Sequence, residues 1–538
     1  MKFDYDIKNE KINLVECNRT EQFQLKQHLT RFVKDYKYSQ PFKMHVWDGK
    51  DSMYNSGKIH MGLWKECYSL AKKIDTPFVI NNKEDFPLNR EVTLEEVTNF
   101  CKEFFKYHKI KNTAGEWLPF MPYEHQIEAA YKILRNRYCM CEVATSGGKT
   151  LIISIIFFFI MKEKDVKFLI VVPSISLVTQ FYDELYQFNY GKNFLEGVDN
   201  ATDYPDYSPC DIRMTEMMSD KPRIYDGDAN IIIGCDASLV ECDKHFFKQF
   251  HTIACDEAHT VKTDTLNSIL KKTFGHAYNR FGVSGTFPND DTFEILNIQA
   301  MLGPCVYKIE ASKLVELGII TAMQIKAVLL NYNDKDFGER LKYIRKLGAG
   351  DQAYRFELEY VHSSTERTEF IKMIVGKCDN NVLLLFTTIE YGTMMYEKFK
   401  AEMPDREFFY IDGQVKNKKR EEIKLEMEKN DGKVRVLIAS FGTLAVGVSI
   451  KNLYYVVFAD SYKSEQKIIQ SIGRSLRKHG GKEIATIFDI VDIMDSSNPT
   501  NSLYRQFLER EKFYMKRKYP YTVTKKNISP NKITTDEN

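Results

Sequence analysis

No stretch of this chain is both long and apolar enough to cross a bilayer: the longest apolar run, Leu151 to Met161, falls well short. Met1 to Glu10 is charged and lacks the apolar core of a secretory signal, so a cytoplasmic location is expected. The 11 cysteines form no Cys-x-x-Cys or Cys/His pairs, and Cys139-Met140-Cys141 has the wrong spacing for zinc. Reduced, mostly buried thiols are expected, with no metal cluster. A net charge of +2 gives no overall field that would select a partner. What remains is an ordinary globular composition, 43% hydrophobic and 28% charged over 538 residues, too long for one core. Two to four domains are expected.

Apolar, β-branched runs of strand length recur: Phe168–Val172, Ile231–Ile233, Thr252–Cys255, Arg280–Val283, Val382–Phe386, Val434–Ala439, Tyr454–Ala459 and Ile484–Asp489. They show little polar alternation, as strands covered on both faces require. Helical stretches separate them, among them Ser176–Gln187, Glu390–Ala401, Asn417–Lys429 and Ser464–Arg477. The alternation predicts an α/β fold with parallel sheets in two series, one from about 115 to 310 and one from about 320 to 495. Ala311 to Lys326 would connect them. Before residue 115 the pattern is that of a small α+β domain with helices at Met61–Ile74 and Leu94–Tyr107, a DNA-binding accessory by expectation. Within it Trp47-Asp48-Gly49-Lys50 reads as a turn after a strand, with DNA contact by Lys50 as the functional alternative.

Two segments carry local charge. Lys512, Lys516, Arg517, Lys518, Lys525, Lys526 and Lys532 stand in a stretch without an acidic residue, interleaved with Phe513, Tyr514, Tyr519 and Tyr521. Such a helix and tail, 501–538, can neutralise phosphates and offer rings to bases, or can be a solvated helix end. Glu196 to Asp228 holds nine acidic and three basic residues with three prolines, and reads as a loop-rich insertion facing water.

The chemistry concentrates in three places. Thr145-Ser146-Gly147-Gly148-Lys149-Thr150 follows a strand-like run and precedes an apolar helix. Glycine angles can turn successive amides toward a phosphate, Lys149 would reach the β/γ-phosphates, and the Thr150 hydroxyl would ligate Mg²⁺. Asp256-Glu257-Ala258-His259 ends the run Thr252–Cys255. Asp256 would hold Mg²⁺ and Glu257 would polarise the attacking water; the structural alternative is a pair of acids at a helix start. Arg474 and Arg477, in Gln470-Ser471-Ile472-Gly473-Arg474-Ser475-Leu476-Arg477, share a helix face and could meet a transferring phosphoryl group, unless they are a surface pair. Ser284-Gly285-Thr286 ends another strand and by itself is an ordinary turn.

In this order the residues resemble a superfamily-two helicase motor over roughly 115 to 500, which implies two RecA-like lobes binding ATP and Mg²⁺ in their cleft. The resemblance assigns adenine contact to Gln126, motif I to Ala144–Thr150, motif Ia to Val172-Pro173-Ser174 and motif II to Asp256–His259. It assigns motif III to Ser284–Thr286 and motif VI to Gln470–Arg477, with Arg477 as arginine finger and Arg474 also facing the γ-phosphate. Motif V runs from Gly442-Thr443 through Gly447-Val448-Ser449, and Gly447 would lie at the nucleotide. Nucleic-acid contacts fall to Pro173 and Ser174, joined by Lys516, Arg517 and Lys518 from the basic segment. The family commonly reads Thr-Gly-x-Gly-Lys-Thr, so here Ser146 and Gly147 stand exchanged. Ala439-Ser440-Phe441-Gly442, Gly447–Leu453 and Gly473–Gly480 are similar to the UvsW-type phage helicases. That likeness implies an ATP-driven enzyme acting on forks, junctions, D-loops or R-loops, with strand annealing. The motor of a restriction system shares this core, but no Asp…Glu-x-Lys nuclease set stands in residues 1–115. An annealing factor with weak ATPase is the further alternative.

Overall fold

A strand with no polar face is stable only where both faces are covered, and these strands are. Every residue of Ile231–Cys235, Val382–Phe386 and Tyr138–Val143 is buried. The computed structural model describes the chain except for residues 87–89, 112–115, 192–205, 219–226, 263, 430, 445–449, 451, 463–472, 474–483, 498 and 531–538. It divides into two units, Met1–Ile309 and Glu310–Asn538, each built on a seven-stranded sheet.

In the first unit the strands lie in the order Met214–Met217, Ile231–Cys235, Lys167–Val172, Phe250–Cys255, Asn279–Ser284, Tyr138–Val143, Cys305–Ile309, all parallel. The chain leaves Tyr138–Val143 through helix Lys149–Glu163 and re-enters at Lys167–Val172. The gap between those two strands is filled later by Phe250–Cys255 and Asn279–Ser284. The carboxyl ends of Tyr138–Val143, Asn279–Ser284 and Phe250–Cys255 are thereby adjacent, which is where open α/β sheets bind ligands. The second unit has the order Glu407–Ile411, Arg435–Ser440, Val382–Phe386, Tyr455–Phe458, Ile484–Ile493, Ala322–Asn331, Tyr521–Asn527, again all parallel. Two tandem RecA-like lobes are the result, as expected.

Several sequence expectations change. Ala311–Lys326 is not a plain connection: after helix Ala311–Glu316 the chain enters strand Ala322–Asn331, deep in the second sheet. Its first half alternates in burial and so lacks the continuous apolar run of the other strands. The acidic stretch is not all loop either. Met214–Met217 is an edge strand, and Cys210, Ile212 and Met218 are buried, with Asn189 bridging Cys210 N and O at 2.9 Å each. In the basic tail, Tyr521–Asn527 pairs with Ala322–Asn331, so main-chain hydrogen bonding makes a strand where charge suggested a frayed end. Trp47–Lys50 leads into strand Lys50–Ser52 rather than following one. Helix Ser464–Arg477 lies outside the described residues. All the cysteines are free and most are buried. Among the described residues no helix is long and apolar enough to cross a membrane.

The N-terminal residues form a four-stranded mixed sheet, Lys58–His60, Lys11–Glu16, Lys2–Asp6 and Val79–Ile80, with helices Arg19–His28 and Trp64–Lys73. This sheet shares one apolar core with the first lobe: Phe3, Ile12, Leu25 and Ile59 cluster with Ile253, Leu270, Ile298 and Leu302. Approach is close enough that a Cβ at Gly62 would lie 2.0 Å from the Gln299 carbonyl. Through this core runs an ion pair. Arg280, 1% exposed, meets both oxygens of Glu10, 2% exposed, and donates to Met301 O at 2.7 Å and Thr273 Oγ1 at 3.1 Å. Tyr138 and Phe274 flank the guanidinium, each ring centroid 4.9 Å away. A guanidinium taken out of water this completely needs its carboxylate. Glu10→Ala should lower the unfolding free energy of the first unit by about 3–5 kcal/mol in a urea titration, far more than removing an exposed pair such as Lys2–Glu16.

Candidate active site

Tyr138–Val143 delivers the chain to a tight loop, and helix Lys149–Glu163 starts immediately after Gly148. The first orphan amides of that helix, which is apolar throughout its middle, face the loop. Gly148 has φ +84, and a Cβ there would stand 2.1 Å from Gln126 Nε2. Gln126 and His125 sit at the start of helix Glu124–Asn136 and both reach Gly147 O, at 3.1 and 2.8 Å, while Gln126 Oε1 accepts from Tyr123 N at 2.9 Å. Ser146 holds φ +67, the left-handed region where glycine is at ease. With Ser146 and Gly147 exchanged, the loop makes this left-handed turn at Ser146, and serine is the residue under strain.

Asp256 and Glu257 stand at the end of Phe250–Cys255, one strand beyond Asn279–Ser284. Lys149 Nζ donates to Glu257 Oε1 at 2.6 Å. Ser284 Oγ donates to Thr286 O at 2.9 Å, so the His259 Nδ1–H is shared between Ser284 Oγ, 2.8 Å, and Glu257 Oε2, 3.2 Å. Burial would raise the Glu257 carboxyl, but Lys149 and then His259 hold it far below the usual range. It is ionised at any working pH. Asp256 behaves oppositely: burial pushes its carboxyl up to about 7 against the pull of Lys149, and the Glu257 charge adds to the rise. Its Oδ1 is buried without a hydrogen-bond partner. Glu257 itself takes φ +49, a second strained residue at the site. Gly285 lies close by, its Cβ position 3.2 Å from Thr145 Oγ1 and 3.9 Å from Lys149 Nζ.

The structure thus brings together Gln126, Thr145, Ser146, Gly147, Gly148, Lys149, Thr150, Asp256 and Glu257, and adds two residues that sequence reasoning gave no part in the chemistry, His125 and His259. Their signal was position: His125 precedes Gln126, and His259 closes the Asp256–His259 motif. Ser284 is more than a turn residue, since it anchors the histidine. Pro173 and Ser174 follow strand Lys167–Val172; Ser174 is buried and meets Ser176 Oγ at 3.2 Å. Gly447, Arg474 and Arg477 lie outside the described residues. Lys516 ends helix Ser502–Lys516, with Arg517 and Lys518 next to it. Two of the four rings of that segment do not face out for bases: Phe513 and Tyr514 are buried, with Tyr514 Oη donating to Asp489 Oδ2 at 2.9 Å, whereas Tyr519 and Tyr521, beyond the helix, are half-buried. Helical period turned Phe513 and Tyr514 inward and left the lysines outside.

The second lobe holds a network that no motif reading found, at the carboxyl ends of Val382–Phe386 and Tyr455–Phe458. Asp460 accepts from Thr387 N at 2.8 Å and Thr387 Oγ1 at 2.7 Å, and pairs with His362 at 2.8 Å. Burial would raise its carboxyl, but His362 brings it well below the usual range. Arg367, fully buried, forks onto Asp492 at 2.8 and 2.9 Å.

A glycine-loop lysine paired with an acid from the next parallel strand but one, on the first of two RecA-like sheets, defines a P-loop nucleotide hydrolase. Residues 123–295 match the DEAD/DEAH box helicase family and residues 365–479 the helicase conserved C-terminal domain, between them more than half of the chain. The ATP-dependent DNA helicase uvsW of Enterobacteria phage T4 is 26% identical over 532 residues, 96% of this chain and 97% of that protein. Among solved structures, the ATP-dependent Type ISP restriction-modification enzyme LlaBIII bound to DNA is 16% identical with a TM-score of 0.54, over 77% of this chain and 32% of that one. Dbp5 of S. cerevisiae, bound to RNA and ADP BeF3, is 15% identical with a TM-score of 0.50, over 76% and 90% of the two chains. These two show the fold alone. The chain is an ATP-dependent helicase of superfamily two.

Two expectations follow from the geometry. Ser146→Gly should leave stability unchanged or raise it by up to about 1 kcal/mol, because relief of left-handed strain outweighs the flexibility glycine adds to the unfolded chain. Gly148→Ala should instead destabilise and displace Gln126, read by thermal melting and by nucleotide affinity. The second concerns Asp256, whose folded carboxyl lies above its unfolded value. Its contribution to stability is full at low pH and is lost as pH rises from about 4 through about 7. Asp256→Asn should accordingly raise the Tm of the nucleotide-free protein at pH 8, with the gain shrinking toward pH 5, while abolishing ATP hydrolysis.

Proposed function

We propose that the chain hydrolyses ATP at the first-lobe loop and uses the cycle to remodel branched nucleic acid: forks, junctions, D-loops or R-loops, with annealing of the released strands. The observation that carries the hydrolytic part is the Lys149–Glu257–His259–Ser284 chain. Without nucleotide the Lys149 charge is matched by Glu257. A phosphate group would compete for Lys149 and free Glu257 Oε1 to accept a proton from water, while His259 keeps the other oxygen in place. Ser284 ties that histidine to Thr286, so the orientation of the base is linked to the segment that follows. A bound magnesium ion would neutralise charge developing on the phosphates. Thr150 and Asp256 are the residues to hold it, and a buried carboxyl with an unmet oxygen fits a divalent cation. Gln126 and the loop Thr145–Gly148 would cradle the nucleotide, with Gly447, Arg474 and Arg477 as its second-lobe contacts.

DNA as the substrate is supported by the relative aligned over nearly the whole chain, itself a DNA helicase. The branched substrate rests on the likeness of Ala439–Gly442 and the Gly473–Gly480 stretch to the UvsW-type enzymes. Pro173 and Ser174, the exposed Lys516 and Lys518 with Arg517, and residues 1–114 as an accessory domain would follow the nucleic-acid backbone.

The purified chain should hydrolyse ATP, faster with forked DNA, and should open forks in an ATP-dependent manner. Lys149→Ala should lose nucleotide binding. Glu257→Gln should bind nucleotide but turn over about 10²–10⁴-fold more slowly. No hydrolysis with any forked or single-stranded nucleic acid would sink the reading. Cleavage of plasmid by the isolated chain would favour a restriction motor. Annealing undiminished in Glu257→Gln, together with no wild-type turnover, would favour an annealing factor.

A further inference from the structure

Between Thr30 and Ser52 the N-terminal domain makes an excursion unlike any other described part of the chain. Its neck is a two-stranded ladder, Thr30–Phe32 against Lys50–Ser52. Beyond the neck come a 3₁₀ turn, Tyr36–Tyr38, and a single helical turn, Gln40–Lys43. From Arg31 to Asp51 the only buried residue is Gly49. Large apolar groups nonetheless crowd it: Tyr38 is 76% exposed, Val46 73%, Met44 67% and Phe32 43%. Scattered exposed apolar residues need no explanation, but this many in one short segment mark a contact surface.

The excursion is ordered from within rather than by burial. Phe32 stacks on Tyr36 at 4.6 Å, and Phe42 meets the edge of Tyr36 at 4.8 Å. Gly49 has φ +82, and a Cβ there would come within 2.2 Å of the Tyr36 ring. Trp47 Nε1 donates to Lys50 O at 2.8 Å, and Lys50 Nζ lies 4.7 Å from the Phe32 centroid. Arg31, Lys34, Lys37, Lys43 and Lys50 stand in this span against three acids, Asp35, Asp48 and Asp51; Asp48 Oδ1 is engaged by Lys50 N, and Asp51 faces Arg31 across the ladder, which leaves the lysines in excess. An ordered aromatic cluster with the open ring of Tyr38 beside it and Trp47 half-buried, among lysines, suits a ligand that is flat and apolar on its faces and anionic along its backbone. A protein partner would match the rings but would leave the lysines without phosphates to neutralise.

The base of the excursion is fixed to the first lobe at one place. Phe32 bridges to Thr292, and Lys34 N donates to Glu294 Oε1 at 2.8 Å. Both partners lie just downstream of Ser284-Gly285-Thr286, the segment tied to His259 and Glu257. The geometry points to the excursion Thr30–Ser52 as a stacking platform for unpaired bases at the point where strands part, with Tyr38 and Trp47 as the contacting rings, braced on the segment that reports the state of the ATP site. This deepens the reading above and rests on it for the nature of the substrate. Neither ring belongs to the nucleotide machinery.

The test is ATP-free binding of the full chain to a fork carrying 2-aminopurine at the first unpaired position, compared with a blunt duplex of the same sequence. The double variant Tyr38→Ala/Trp47→Ala should bind the fork on the order of tenfold more weakly, lose the 2-aminopurine quenching seen with the wild type, and bind the duplex unchanged. Its DNA-independent ATP hydrolysis should be unaltered, and Trp47→Phe should retain quenching. If loss of the Trp47–Lys50 hydrogen bond unfolds the excursion, Tyr38→Ala alone carries the comparison. Unchanged fork affinity and quenching would overturn the proposal. So would equal losses on fork and duplex, and so would intact fork binding with loss of a captured protein. Absence of ATP turnover in the wild type would defeat the proposed function yet leave this ATP-free comparison readable.

Discussion

A parallel sheet cannot close its own connections with hairpins; each strand must be followed by a crossover that returns the chain to the same end. In the first lobe that constraint places the loop after Tyr138–Val143 beside the ends of Asn279–Ser284 and Phe250–Cys255, strands more than a hundred residues later. Lys149, Glu257 and Ser284 meet for that reason. The ion pair between Lys149 and Glu257 is the electrostatic consequence, since the sheet end gathers an ammonium and two carboxyls where little water remains.

The two acids then divide. Glu257, in contact with Lys149 and His259, is held ionised, whereas Asp256, buried and short of a partner, is pushed toward the neutral form. Neighbouring groups whose environments drive their protonation apart are suited to different tasks. Strain accompanies the division. Ser146 and Glu257 both hold left-handed backbone angles, and a folded lobe with a large apolar core tolerates that.

The N-terminal domain is joined to this lobe by more than surface contact. Glu10 and Arg280 meet inside a common apolar core, and the Thr30–Ser52 excursion is fixed to Thr292 and Glu294. The domain and the first lobe therefore share both core and charge. A few residues of chain lead from the Ser284–Thr286 segment to Thr292 and Glu294, where a β-bridge and a hydrogen bond hold the excursion.

The two sheets were legible because covered strands need uninterrupted apolar runs, and Val382–Phe386 shows the pattern with no residue out of place. The loop and the Asp-Glu pair were legible because phosphate chemistry needs those residue types at those strand ends. Strand Ala322–Asn331 was not, because it mixes polar positions into its first half. Nor was strand Tyr521–Asn527, an edge strand with mostly exposed side chains whose conformation comes from main-chain pairing. The rings of Phe513 and Tyr514 turned inward because helical period, not composition, sets which face a side chain takes. By itself the sequence determined the fold class and picked out the glycine loop and the strand-end acids, since these depend on residue type over a few positions. Only the tertiary structure decided that Ser146 carries the strain, that His259 and Ser284 orient Glu257, that Glu10 neutralises Arg280, and that the aromatic excursion stands on the segment after motif III. Each of these is a meeting of residues distant in the chain or a backbone angle set by its surroundings, and neither leaves a local mark.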